Sequence, residues 1–446
     1  MNRIVTGLGV LLFSVVCSAA DAPGRGALTP IGAERAGNAA GTIPAWNGGL
    51  TTPPASYVVG QHETNPFPDD KPLFQITAAN AAQYAENLSP GQKALLERYP
   101  DTWYMNVYQS RRTAAFPDFV YDAIAANAGT AKVLLEGRGG VEGARVSSPF
   151  PQPNSGVEAV WNHTLRFRGL RVNRVDGSAA LTRRGRYTLV LSRQDWGFAY
   201  GLPYPTPFTQ RHPNVLFAVK SKVIAPSLLS GDGTLIFETI NQTGDPRKSW
   251  RYPRALRRVL RNPFFGYEIP GTLSDGLRTV DDFGLYNGAP DRYEWTLRGK
   301  RELYIPYNAY GLHGPQVGDE DIVRTGHINP DHARYELHRV WVVEGVLKEG
   351  ERHIYGRRMF YLDEDSWQIA VADSYNRDGE LWRVNEAHAL NYYTVPVLWT
   401  TLEVFHDLLS GRVLVDGLDN LYQPYEFKTG SDPREFSPNA LIYYLR

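Results

Sequence analysis

The stretch from Tyr335 to His388 decides the fold, and it reads YELHRVWVVEGVLKEGERHIYGRRMFYLDEDSWQIAVADSYNRDGELWRVNEAH. Four runs rich in β-branched and aromatic residues are separated by short segments of Gly, Asp, Asn, Glu and Ser. Such runs favour strands, and short turn segments join strands that pair antiparallel. The predicted strands, which form a meander, cover residues 335–344, 354–362, 369–375 and 381–388.

Strand-like alternation with a period of two residues also occurs upstream of this stretch, whereas helical signals dominate the first part of the chain. Residues 187–192 and 234–238 alternate apolar and polar side chains, as half-buried strands do. Helices are predicted from Thr77, after Ser89-Pro90, and over 119–128, 157–166 and 401–409. The predicted fold class is α+β: a large curved antiparallel β-sheet, a half-open barrel, with helices packed on its concave face. Such a face can enclose an apolar ligand.

The first twenty residues are typical of a secretory signal peptide. Arg3 precedes an almost wholly apolar run over 4–16, and Ser18-Ala19-Ala20 supplies the small residues of a cleavage site. A membrane anchor is the alternative, but the run is short for a span. The predicted division has three parts: a signal peptide over 1–20, cut after Ala20, a Pro/Gly-rich extended arm over 21–75, and an α+β domain over 76–446. The domain's first part, 76–168, is predicted to be helical and the remainder sheet-rich. The expected location is the periplasm.

Charge and cysteine content exclude several classes of protein. The 446 residues contain 47 Lys+Arg and 47 Asp+Glu, a formal net charge of zero. Nucleic-acid binders need a basic surface, and attachment to anionic lipid by net charge alone needs a basic chain. Cys17, the single cysteine, lies in the predicted signal peptide. The mature chain is therefore predicted to have no disulfide, no thiol chemistry and no cysteine-ligated metal.

Motifs for catalysis and for metal or phosphate binding are weak. Residues 137–143 are rich in glycine, but prolines follow where a phosphate site needs a helix N-terminus. The ten histidines show no metal-ligand spacing, so no metal and no cofactor are predicted. His338, flanked by Glu336, is the histidine with a nearby carboxylate. No nucleophile elbow is present.

Two acidic groups bear on a hydrolase interpretation. A glycoside hydrolase needs two carboxylates about 5–10 Å apart across a cleft, which the sequence does not establish. Asp281-Asp282 is interpreted as solvated or arginine-paired, and residues 363–365 as a hairpin turn, where Asp is ordinary. The protein is therefore predicted not to be an enzyme.

The segment from Ser249 to Pro263 is the most informative for function. It interleaves arginines with aromatic residues, and two interpretations stay open. In the first interpretation, the arginines contact a charged head group or a partner. In the second, the segment forms two strands whose outer faces carry cross-strand ion pairs. Acids at 275, 281 and 282 could neutralise the arginines. The candidates for head-group or partner contact are Trp250, Arg251, Tyr252, Arg257, Arg258 and Arg261.

This segment resembles the Trp/Tyr-Leu-Pro-Ala-Leu-Arg-Arg hairpin of bacterial outer-membrane lipoprotein-sorting proteins, relatives of the LolA and LolB carriers. Four further parts of the chain are similar to a longer, uncharacterised branch of that group. They are the stretches 291–308, 334–344 and 381–383 and the motif Ile43-Pro-Ala-Trp-Asn-Gly-Gly49. The resemblance implies a half-open barrel with an apolar cavity for acyl chains. It also implies partnership with a resistance-nodulation-division export pump and an outer-membrane protein. The chain is far longer than a lipoprotein carrier and lacks the LolB lipid-attachment cysteine, which puts lipoprotein cargo in doubt.

The function predicted from these features is a periplasmic carrier or chaperone that binds a hydrophobic or lipidic molecule in an apolar cavity, and the resemblance implies service to an export system of the outer membrane. The alternatives are an extracytoplasmic hydrolase of a lipid or glycan and a protein-binding envelope assembly factor. The predicted cavity residues are Trp341, Val343, Phe360, Tyr361 and Trp382.

Overall fold

A computed structural model describes residues 26–203, 205–262, 266–430 and 432–446, so the predicted signal peptide lies outside the described residues. The strands in chain order are β1 (Phe74–Ile76), β2 (Met105–Tyr108), β3 (Lys132–Val133), β4 (Val141–Glu142), β5 (Arg171–Leu181), β6 (Leu189–Gly197), β7 (Val215–Ala225), β8 (Gly233–Thr239), β9 (Lys248–Tyr252), β10 (Leu260–Asn262), β11 (Tyr293–Pro306), β12 (Val323–Arg324), β13 (His327–Ile328), β14 (Tyr335–Leu347), β15 (Arg357–Asp363), β16 (Ile369–Tyr375), β17 (Leu381–Tyr392), β18 (Val397–Asp407), β19 (Arg412–Leu418) and β20 (Glu426–Lys428). The α-helices are α1 (Pro90–Arg98), α2 (Asp118–Thr130), α3 (Gly156–Leu165), α4 (Pro207–Arg211), α5 (Asp319–Ile322) and α6 (Pro438–Leu445). Short 3₁₀ helices cover Ala81–Asn87, Leu135–Gly137, Val280–Leu285, Tyr310–Leu312, Pro330–His332 and Pro433–Glu435.

In the described part of the chain, sixteen strands form one sheet. From one side to the other its main path runs β11, β14, β15, β16, β17, β18, β19, β5, β6, β7, β8, β9 and β10. All of these neighbours pair antiparallel, whereas β2 pairs parallel with the start of β14. The two ends, β11 and β10, do not pair within the described residues, so the sheet is open. The predicted α+β class with a half-open antiparallel sheet is confirmed.

The predicted meander is β14 to β17. Val343 on β14 pairs with Phe360 on β15, and the predicted strand 369–375 coincides with β16. The predicted helix after Ser89 is α1, which begins with a capping box. Ser89 accepts a hydrogen bond from the Gln92 backbone, and the Gln92 side chain accepts one from the Ser89 backbone. Local turn and cap chemistry was therefore sufficient for these elements.

The predicted helix over 401–409 is wrong, because residues 397–407 form β18. Every residue of β18 is buried. A strand buried on both faces has no polar alternation, so its apolar run cannot be distinguished from a helix by period. The helix predicted from Thr77 is a 3₁₀ helix that begins later, at Ala81.

The two faces of the sheet carry different cores. On one face, α2 and α3 pack with Trp161, Val343 and Phe360, and we call it the α3 face. On the other face, α1 packs against β16 and β17, and α6 packs against β7 to β9. Among the helices of the described residues, none has the length and apolar character that a membrane crossing requires.

The described part of the N-terminal arm, residues 26–73, consists of turns and bends held by the sheet. Ile31 and Ala33 are buried on the α3 face, and the backbone oxygen of Ile31 accepts a hydrogen bond from the Trp367 indole. Arg112 donates a hydrogen bond to the backbone oxygen of Glu34. The arm is thus part of the packed structure even where it has no regular secondary structure.

Candidate functional site

Residues 266–290, which we call the strap, lie on the α3 face, where their 3₁₀ helix contacts β16 to β18 and where they form a cleft with β5 to β8. The strap contains the 3₁₀ helix Val280–Leu285. Thr279 begins this turn, with its hydroxyl donating to Asp281 at 2.6 Å and its backbone amide bonded to Asp282 at 2.9 Å. Gly284 adopts φ +62°, a conformation that glycine adopts without strain.

A buried ion pair fixes the strap to the sheet. Arg358 on β15 bonds Asp281 at 2.7 Å and Asp282 at 2.7 Å, and its side chain is fully buried. Burial raises the pKa of Asp281, but Arg358 and His353 outweigh it and hold that pKa well below its usual range. The arginine-paired interpretation of Asp281-Asp282 is confirmed. These carboxylates are buried and bonded, so they do not form the open acid pair of a glycoside hydrolase.

Beneath the strap lies a cleft of about 160 Å³. Its apolar wall combines sheet and strap side chains, and it consists of Trp196, Phe217, Val219, Ile236, Leu273, Val280 and Phe283. Phe283 stacks on Trp196 with ring centroids 5.2 Å apart and an interplanar angle of 15°. Alternate residues of β6, β7 and β8 point to the same face, which is why side chains distant in sequence share this wall.

The polar wall of the cleft contains three arginines, each with one acid. Arg174 lies 2.9 Å from Asp176, and Arg247 lies 2.5 Å from Glu238. Arg278 of the strap lies 3.5 Å from Asp416. Burial raises the pKa of Asp176 to about 6 despite the nearby Arg174.

Two further arginines, Arg166 and Arg168, follow α3 and adjoin the cleft. Both are buried, and neither forms an ion pair within the described residues. Arg168 lies over Phe217, 5.2 Å from the ring centroid, and its Nε and Nη2 atoms lack hydrogen-bond partners among the described residues. Burial lowers the pKa of Arg168 to about 10, with Glu238 and Glu403 opposing the shift. A buried, unpartnered guanidinium is costly, so an anionic group in the cleft would stabilise it.

The predicted cavity residues do not line this cleft. Trp341, Val343 and Phe360 lie on the α3 face, where Val343 and Phe360 are fully buried in the packed core. Tyr361 pairs with Val342 and belongs to a core on the opposite face.

Trp382, the fifth predicted residue, packs elsewhere, with its ring 5.7 Å from Tyr355. The structure therefore does not bring the five residues together in one cavity. Face assignment reverses with each step along a strand, which the sequence alone did not resolve.

The arginine-rich segment forms the hairpin of β9 and β10, with Arg251 paired to Leu260. Trp250 and Tyr252 pack against the core beneath α6. The side chains of Arg251, Arg257, Arg258 and Arg261 are exposed. Their contact with a head group or a partner remains a prediction.

The acidic group 363–365 lies at the turn between β15 and β16, as predicted, and its three side chains are buried. Asp365 accepts two 2.7 Å hydrogen bonds from Arg112, and Glu364 bonds Lys300 at 2.8 Å. His338, Asp363 and Asp365 present ligand atoms within 4.8 Å of one another. Because Arg112 already neutralises Asp365, we interpret this group as an ion-pair network that holds the arm.

Sequence reasoning missed the cleft residues Arg174, Trp196, Arg278 and Phe283, and it also missed Arg166 and Arg168 beside the cleft. The available signal was the pair Arg166-x-Arg168 at the end of the predicted helix 157–166 and before the sheet-rich part of the chain. Arginines at such a junction are usually exposed, so the pattern did not indicate burial.

Comparison with known proteins gives matches over nearly the whole chain. The model of a family described as protein of unknown function, DUF1329, matches residues 75–442. An uncharacterized protein of Pseudomonas aeruginosa is 47% identical over 449 residues, covering 99% of this chain and 98% of that relative.

Three solved structures are similar to part of the chain. A DUF1329 family protein from Desulfovibrio piger is 13% identical with a TM-score of 0.40, covering 61% of this chain and 92% of that one. A putative outer membrane lipoprotein-sorting protein domain from Vibrio parahaemolyticus is 14% identical with a TM-score of 0.38, covering 61% and 91%. A LolA superfamily protein from Nitrosomonas europaea is 12% identical with a TM-score of 0.35, covering 62% and 94%.

Proposed function

Since the chain belongs to the DUF1329 family of proteins of unknown function, we propose a function from its cleft: a non-enzymatic periplasmic carrier that binds an anionic amphiphile. The observation that carries the proposal is the pairing of an aromatic wall with buried arginines in one cleft. The apolar wall binds the hydrocarbon part of the ligand by burial of apolar surface. The arginines bind its carboxylate or phosphate.

The charges favour an anionic ligand over a neutral one. Arg174, Arg247 and Arg278 line the cleft together with Glu238 and Asp416, so the charged lining has one more cation than anions. Beside it, Arg166 and Arg168 form no ion pair among the described residues, and buried Glu403 acts on both of them. An anion that reaches Arg168 satisfies its free donors, and hydrogen bonds to a charged group are the strong ones.

The volume limits how much of the ligand is enclosed. Pockets for drug-sized ligands are about 300–1,000 Å³, and this cleft is about 160 Å³. The cleft accommodates a head group and a short apolar segment, and a long acyl chain extends past the strap or displaces it. An export pump and an outer-membrane protein are partners consistent with this function, and they remain predictions.

The test is mass spectrometry of organic extracts from protein purified gently from the periplasm. We expect a reproducible, stoichiometric anionic amphiphile in the wild-type protein and its loss in the Arg168→Met variant. Arg193→Met, an exposed arginine on the opposite face of β6, is the matched control and retains the ligand. Protein free of ligand that also fails to bind oleate saturably would contradict the proposal.

A further inference from the structure

The turn between β9 and β10, residues 253–259, is a convex, strongly basic projection of the sheet edge. Arg254, Arg257 and Arg258 are exposed on this turn, and Leu256 exposes 52% of its surface. Arg251 and Arg261 on the adjoining strands are also exposed. We call these arginines together with the turn the arginine tip.

The three acids that the sequence analysis named as possible counter-charges of the arginine tip are engaged elsewhere. Asp275 bonds Arg412, while Asp281 and Asp282 bond Arg358. Within the described ranges, no carboxylate lies at ion-pair distance from any arginine of the tip. The segment does form two strands, as one interpretation predicted, but the predicted ion pairs on their outer faces are absent among the described residues. The arginine side chains face solvent instead.

A second exposed leucine lies on the adjacent turn, residues 226–232 between β7 and β8. Leu228 exposes 92% of its surface. Arg254 joins the two turns, because its backbone amide donates to Asp232 at 2.8 Å and its guanidinium donates to the Ser230 backbone oxygen at 3.2 Å. The two turns thus present two exposed leucines among five arginines at one end of the sheet.

We propose that the arginine tip, with Leu228, docks the protein on an anionic lipid bilayer. The whole chain has zero formal charge, so its net charge cannot hold it there. A local cluster is sufficient, since each arginine near an anionic surface adds to the attraction over roughly a Debye length. Exposed leucines at the ends of projecting turns insert into the boundary between head groups and acyl chains. A flat or concave acidic protein surface would leave these leucines in water.

The tip also adjoins the cleft. Arg251 pairs with Thr234 of β8, and Thr234 lines the cleft. A bilayer contacted by the tip therefore lies next to the strap. This docking does not depend on what the cleft binds, so the two proposals can fail separately.

The experiment is cosedimentation of the full-length mature protein with vesicles of phosphatidylcholine alone or mixed with phosphatidylglycerol. We expect binding to the mixed vesicles, weakened by added salt, and little binding to phosphatidylcholine. Arg257→Ala/Arg258→Ala should lower the partition coefficient on the order of tenfold. Leu228→Ala/Leu256→Ala should lower it severalfold at unchanged salt dependence.

Arg183→Ala/Arg184→Ala is the matched control, because these arginines are also exposed on a hairpin turn, between β5 and β6. The control and the cleft variant Phe283→Ala should bind vesicles like the wild type. Absence of wild-type binding to anionic vesicles, or equal loss in the tip and control variants, overturns the proposal. Capture of an acidic protein by the tip without vesicle binding overturns it as well. Circular dichroism melts show that each variant is folded.

Discussion

Phe283 of the strap stacks on Trp196 of β6, with ring centroids 5.2 Å apart. The two residues are far apart in sequence, and their contact closes the apolar wall of the cleft over the sheet. Phe217 adds a third ring, 5.1 Å from Trp196. Offset-stacked rings contribute more stabilisation than the apolar area that they bury accounts for. This contact therefore both holds the strap against the sheet and forms a binding surface.

Phe283→Ala should weaken the binding of oleate about tenfold, because it removes part of the apolar wall that the hydrocarbon contacts. Titration of the purified protein by isothermal calorimetry measures the change. Phe283→Leu keeps an apolar side chain and should lose less affinity. Equal affinity of the wild-type and alanine proteins would remove Phe283 from the binding surface.

Arg168→Met should abolish the preference for an anionic ligand. Arg168 is buried with two unpartnered nitrogens, so its removal takes away a charged donor but no ion pair. Affinity for oleate should fall by about 1.5–3 kcal/mol, while affinity for oleyl alcohol stays the same. The melting temperature should not fall, since a buried unpaired charge is removed. An unchanged ratio of the two affinities would count against a role in head-group binding.

Arg358→Met should destabilise the protein by roughly 3–5 kcal/mol, because it leaves two buried carboxylates without their cation. Chemical denaturation of both proteins measures the loss. The exposed pair of Arg434 and Asp432 provides the control, and Arg434→Met should change the unfolding midpoint little. A small effect of Arg358→Met would show that the ion pair does not hold the strap.

Glu386 should make stability fall as pH rises from about 4.5 to about 7. Burial raises the pKa of Glu386 to about 7, above its usual 4.5. Between these values the folded protein binds a proton that the unfolded chain has released, so the free energy of unfolding decreases as pH rises. The shift from 4.5 to about 7, at about 1.4 kcal/mol per unit, makes the loss on the order of 3 kcal/mol or slightly more.

Denaturation of the wild type and Glu386→Gln at a mildly acidic and a mildly alkaline pH tests this contribution. The glutamine has no charge to release, so the variant should lose less stability as pH rises. The difference in the free energy of unfolding in favour of Glu386→Gln over the wild type should be largest at the alkaline pH. Identical pH dependence of the two proteins would assign the proton to other groups.

Local chemistry predicted much of the secondary structure. The turn residues after β15 and β16 and the capping box at Ser89 specify their elements without distant contacts. The hairpin of β9 and β10 agrees with one of the two interpretations left open for the arginine-rich segment, and the family resemblance is confirmed by the match to DUF1329. It failed at β18, where burial on both faces removes the periodic signal.

The sequence by itself determined the antiparallel meander, the helical starts and the concentration of arginines at one hairpin, since each depends on residues close in the chain. Only the tertiary structure decided which charges are neutralised. Asp281 and Asp282 pair with Arg358, which leaves the arginine tip unpaired. The tertiary structure also placed Arg168 beside the cleft that Phe283 lines, because sheet pairing and the position of the strap join segments separated by more than a hundred residues. Contacts of that range depend on register and face, which reverse with a one-residue step.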